Sequence, residues 1–114
     1  MPTPLYVAKA EFFRTLGHPA RIRVLELLCE RDHAVSELLD QIDIEPSNLS
    51  HQLAVLRRTG LVIQERRGGA VIYRAADPEV RELLQAARAI LLGVLADQDA
   101  LKRELRRAPA PAAP

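Results

Sequence analysis

A chain of 114 residues with 48% apolar side chains has material for one core, and with two Phe, two Tyr and no Trp that core must be aliphatic. The single Cys29 excludes an intrachain disulfide and any multi-cysteine metal centre within one subunit. The formal charge of +1 conceals a gradient: residues 1–45 carry five basic and eight acidic side chains, residues 46–76 five Arg against Glu65, and residues 77–114 six of each. The middle third alone presents the positive field that a polyanion feels.

The opening MPTPLYVAKAEFFRT is broken by Lys9, Glu11 and Arg14, which argues against a signal peptide. Leu5, Ala8, Phe12, Phe13 and Leu16 recur at helical spacing, Gly17 can end that helix, and Pro19 suits the first turn of a second helix running to about Arg31. After the polar break Arg31-Asp32-His33, Val35, Leu38, Leu39 and Ile42 describe a short third helix. Asp43-Ile44-Glu45-Pro46 reads as a turn, with Pro46 opening a fourth helix that stops at Gly60.

From Leu61 the period becomes strand-like: residues 62–66 and 71–74 flank Arg67-Gly68-Gly69-Ala70, where adjacent glycines permit a tight hairpin. Asp77-Pro78 begins a long last helix bearing Val80, Leu83, Leu84, Ala87, Leu91, Val94 and Leu95 on one side. Its apolar stretch Ala86–Ala96 is interrupted by Arg88 and is too short to span a bilayer, so the expected location is cytoplasmic, with no membrane partner. The expected fold is mainly α with a small β-hairpin wing: a winged helix-turn-helix in the order four helices, two strands, one helix. It should occupy residues 1–107, followed by a disordered Ala/Pro tail at 108–114.

On a helical wheel Leu53 and Leu56 lie within about 40° of Leu49, giving the fourth helix one narrow packing face. The opposite face carries Ser47, Asn48, His51, Val55 and Arg58. Short polar groups near a helix N-terminus suit base edges, Asn for adenine and Ser or His for several bases. Ser50 and Gln52 lie on the flanks, expected against phosphate, while Arg57 and Arg58 close the helix and Arg66, Arg67 and Arg74 decorate the hairpin. Each element alone has a plainer reading as solvated surface or simple turn. In this order, with the local charge excess, they point to double-stranded DNA.

The segments LGHPARIRVLELL, VSELLDQIDIEPSNLSHQLAVLRRTGLV and RRGGAVIYR closely resemble the ArsR/SmtB family of winged-helix transcriptional regulators, over about residues 5–96. The resemblance implies a homodimer that binds a two-fold symmetric operator, most simply as a repressor, and releases it when an effector binds. Dimerisation has support in the residues too. One recognition helix reads too few base pairs to select a site, and a paired-helix interface of the first and last helices would bury surplus Phe12, Leu84, Leu91, Val94 and Leu95.

The effector is open. The family's third-helix thiolate pair falls on Ala34 and Ser36, and its last-helix metal pattern falls on Asp77, Glu79, Ile90 and Gly93, of which only a carboxylate pair can bind a cation. Cys29, Asp32 and His33 remain candidates for a non-standard nickel or zinc site joined across a dimer, with His18, His51, Asp97 and Asp99 as further donors. The plain alternatives are Cys29 as a small buried hydrophobe, Asp32 and His33 as a helix-end turn, and His18 as a cap. Regulation without an effector, by expression level or a co-regulator protein, is equally consistent. So is a winged-helix protein-interaction module that does not bind DNA. No paired nucleophile and histidine, and no phosphate loop before a helix, support an enzyme.

Overall fold

The computed structural model describes residues 2–107, so the tail expected at 108–114 lies outside the described residues. The order is α1 (Leu5–Leu16), α2 (Pro19–Glu30), β1 (His33–Ala34), α3 (Val35–Gln41), α4 (Pro46–Arg58), β2 (Val62–Arg67), β3 (Ala70–Ala75) and α5 (Pro78–Arg107). The chain divides into two compact units, Met1–Arg81 and Glu82–Pro114, with the boundary inside α5. Among the described residues no helix is long and apolar enough to cross a membrane.

In the first unit the helix ends are set by local chemistry. The Gly17 N–H turns back onto the carbonyls of Phe13 and Arg14 and closes α1. The His18 ring, through Nδ1, accepts from the Ala20 N–H at 3.2 Å and caps α2, which Pro19 opens. Glu37 reaches back to accept from the Ala34 N–H at 2.9 Å, and α3 begins there. At the far end of α4, Gly60 takes φ 81°, its N–H bonds the Arg57 carbonyl, and the Leu61 N–H bonds the Leu56 carbonyl at 3.0 Å. This pair of bonds is a Schellman cap, and it turns the chain straight from helix into β2.

The core is aliphatic as its composition requires. Val24, Leu25, Leu27 and Leu28 of α2 are buried with Leu38, Ile42, the α4 trio Leu49, Leu53 and Leu56, and Leu61, Val62 and Val80. Ile22 is only half-buried.

The wing differs from its sequence expectation in two respects. Its strands run to Arg67 and from Ala70, leaving Gly68 and Gly69 as the whole turn, at φ 56° and 84°. Positive φ at both centres is what a type I′ hairpin demands. The sheet also has a third strand, in the order β1-β3-β2, with His33 opposite Tyr73 and Ala34 opposite Ile72. The polar break read at residues 31–33 therefore ends in a strand that ties the wing to the start of α3. Two residues carry no period, so the sequence could not announce it.

Candidate nucleic-acid interface

α4 separates its faces sharply. Leu49, Leu53 and Leu56 are at most 1% exposed, whereas Ser47, Asn48, Ser50, His51, Arg57 and Arg58 are all exposed. Burial of one leucine stripe fixes the rotation of the helix, and that rotation turns the short polar side chains outward together. Pro46 begins α4 without a side-chain cap, which leaves its first-turn N–H groups and the positive end of the helix dipole on the same side as Ser47 and Asn48. Arg57 and Arg58 line a shallow cleft with Ile63 and Gln64 of β2.

Gln52, expected on the flank against phosphate, is the correction on this helix. It is 4% exposed and lies only about 60° from Leu49 on the wheel. Its carbonyl accepts from the Arg21 Nε at 2.7 Å, and its NH2 donates to the Asn48 Oδ1 at 2.9 Å. Both ends of the amide are used inside the protein, so the side chain is not available to a phosphate.

The wing arginines are not equivalent. Arg67 donates from Nη2 to Asp32 at 2.7 Å and to Glu65 at 2.8 Å, while Arg74 donates from Nε to the other Glu65 oxygen. Donation first from Arg74 and then from Arg67 holds the Glu65 carboxyl below its ordinary range, and the bonds to Glu65 and then to Asp32 raise Arg67 further above its own. Arg67 and Arg74, both expected against DNA, are thus engaged by carboxylates, because β2 pairs Glu65 across from β3 and the β1 turn brings Asp32 to the wing. Arg57, Arg58 and Arg66 have no ion pair among the described residues. They form the charged part of the surface that is open to a polyanion.

The metal candidates do not converge. Asp32 is held by Arg67, and His33 is 3% exposed with Nδ1 at 2.7 Å from the Arg31 carbonyl oxygen. Cys29 is half-buried, and desolvation raises its thiol pKa against the lowering influence of Arg81, which donates to the Cys29 carbonyl. A raised pKa disfavours the thiolate that metals and oxidants need. Asp77 and Glu79 are exposed, and among the described residues no three His, Cys, Asp or Glu side chains form a group able to hold a metal ion. Among the described residues of one chain these donors do not come together as a nickel or zinc site.

Residues 18–64, from the α2 cap through β2, match the profile described as "Bacterial regulatory protein, arsR family". An HTH-type transcriptional regulator of Mycobacterium tuberculosis, Rv0081, is 57% identical over 90% of this chain and 91% of its own length. The chain belongs to the arsR family. The crystal structure of Rv0081 superposes with a TM-score of 0.80, covering 85% of this chain and 98% of that one. The transcriptional repressor BigR of Xylella fastidiosa superposes with a TM-score of 0.67 at 33% identity, covering 77% and 87% of the two chains. The biofilm growth-associated repressor of Agrobacterium fabrum is 37% identical over 71% of this chain and 69% of its own. As an arsR-family winged helix the protein is a DNA-binding transcriptional regulator and not an enzyme.

Sequence reasoning did not find Arg21, Glu65 or the anchoring role of Asp32. The partners of Arg21 and Asp32 lie 31 and 35 residues away and give no periodic signal, while those of Glu65, 2 and 9 residues away, depend on the hairpin register.

Proposed function

We propose that the protein is a homodimeric repressor that lays α4 of each copy in successive major grooves of a two-fold symmetric operator. The observation that carries this reading is the outward polar face of α4, Ser47, Asn48, Ser50 and His51, set opposite a leucine stripe that is at most 1% exposed. Arg57, Arg58 and Arg66 supply the phosphate contacts, and counterion release at those phosphates provides most of the non-specific affinity. The two copies of α4 would stand about one DNA turn, ~34 Å, apart. Binding to chromosomal DNA puts the protein's work in the cytoplasm.

Exposed apolar side chains support the dimer. In α1, Leu5 is 70% and Phe13 58% exposed, and in α5, Leu91, Val94 and Leu95 are 57%, 46% and 47% exposed. Phe12, expected at the interface, is the less exposed of the edge-to-face pair it forms with Phe13, so the contact on α1 is assigned chiefly to Phe13; Leu84 is half-buried. Apolar runs of this kind on two helices need a cover, and a second copy offers a self-complementary one. A co-regulator protein has no observation behind it and does not enter the proposal.

The test is an electrophoretic mobility shift of purified protein on fragments of its own genome at physiological salt. The expected result is a discrete retarded band on a promoter fragment, with two copies per duplex. Retention of every fragment alike, or of none, contradicts the operator reading.

A further inference from the structure

Three side chains from two helices, Arg21 of α2 with Gln52 and Asn48 of α4, form a directed hydrogen-bond relay that ends at the exposed face of α4. Arg21 of α2 donates from Nη1 to the Thr15 carbonyl of α1 at 3.1 Å and from Nε to the Gln52 Oε1 at 2.7 Å. Gln52 then donates from Nε2 to the Asn48 Oδ1 at 2.9 Å. A carboxamide can normally turn either way, because its oxygen and nitrogen are almost the same size. A guanidinium cannot accept, so the end of Gln52 that meets Arg21 must be the oxygen. The NH2 of Gln52 therefore meets Asn48, and Asn48 in turn must offer its oxygen inward.

With its oxygen turned to Gln52, Asn48 directs its Nδ2 amide N–H groups toward the duplex. Reversing Gln52, which is 4% exposed, would set its NH2 against the guanidinium and lose that bond where water cannot readily replace it. We infer that Gln52 is a positioning residue for operator recognition: through Asn48 it presents a fixed hydrogen-bond donor, which selects a base with acceptors on its major-groove edge. Guanine, through O6 and N7, thymine, through O4, and adenine, through N7, can accept from that donor, whereas cytosine, whose major-groove edge offers only its N4 amine, cannot. The two-sided pairing of Asn with adenine, which also needs the side-chain oxygen at N6, is lost. This rests on α4 being the recognition helix.

The experiment is selection of binding sites from a random duplex library by the full-length protein, followed by sequencing. Asn48→Ala locates the base position that Asn48 reads. Wild type should reject cytosine there. In Gln52→Glu the carboxylate accepts both from Arg21 and from the Asn48 amide N–H, so the Asn48 oxygen faces outward and the preference should move toward cytosine, roughly tenfold. Arg21→Met removes the group that sets the direction and should erase the preference, whereas Arg21→Lys, still a donor only, should keep it. Thermal unfolding checks that each variant is folded, and Arg21→Met carries the test if Gln52→Glu is not. A wild type that selects no site overturns the operator reading and this inference with it. A wild type that selects a site, with either folded variant keeping its preference, overturns the inference alone.

Discussion

Arg66 and Arg67 are neighbours in sequence with the same formal charge, yet they should contribute very differently to DNA binding. Arg66 has no ion pair among the described residues, while Arg67 is bound by Asp32 at 2.7 Å and by Glu65 at 2.8 Å. Each phosphate contact lowers the slope of log K against log salt by ~0.9, so losing Arg66 from both copies should flatten it by about 2. Over a rise from ~50 to ~200 mM salt, that slope change narrows the gap between wild type and Arg66→Ala by about twelvefold. Arg67→Ala made together with Asp32→Ala removes one charge of each sign and should change the slope by less than ~0.5, since an arginine already neutralised displaces few counterions. Fluorescence anisotropy on a labelled promoter duplex across that salt range measures both. If the Arg67 and Asp32 pair of substitutions flattens the slope as much as Arg66→Ala, ion pairing within the wing does not decide which arginines meet DNA.

Leu53→Ala should destabilise the folded protein by about 2 to 5 kcal/mol in chemical denaturation, because the residue is 1% exposed at the centre of the α4 stripe; a loss under ~1 kcal/mol would show that the site collapses around the gap. Leu91→Glu combined with Leu95→Glu should convert the dimer to a monomer in sedimentation analysis and abolish the retarded band. A dimer that survives both charges removes the last helix from the interface. Glu65 should titrate below an ordinary glutamate when its carboxyl carbon is followed by NMR, because Arg74 and Arg67 favour its charged form. For a depressed carboxyl the stabilisation is present above the unfolded pKa and lost as pH falls through the lowered folded value, so the wing pairing should be intact at neutral pH and dissolve only in acid below the usual carboxylate range. A midpoint at the ordinary value would mean that the pairing is broken in solution.

The helices and the turn were legible because their signals are local. Pro19 and Pro46 at first helical positions, the leucine spacing of α4 and the adjacent glycines of the wing each act over a few residues. What the sequence hid depends on distant partners. Gln52 reads as polar and therefore outward, yet its wheel position beside Leu49 and the approach of Arg21 from α2 draw it inside. Arg67 and Arg74 read as spare positive charge until the hairpin register and the short strand at His33 supply the carboxylates that hold them. Asp32 and His33 hide their roles for the same reason: although close in sequence at the end of α2, they take different partners in space.

Methylation interference at guanine N7 on the selected promoter fragment addresses the placement of α4 most directly, because N7 lies in the major groove. Two clusters of interference related by two-fold symmetry, with centres about 10 base pairs apart, are expected, and the Asn48→Ala variant should lose sensitivity at one position in each. A single cluster, or retarded complexes insensitive to major-groove methylation, would contradict the assignment of α4 as the element that reads the operator.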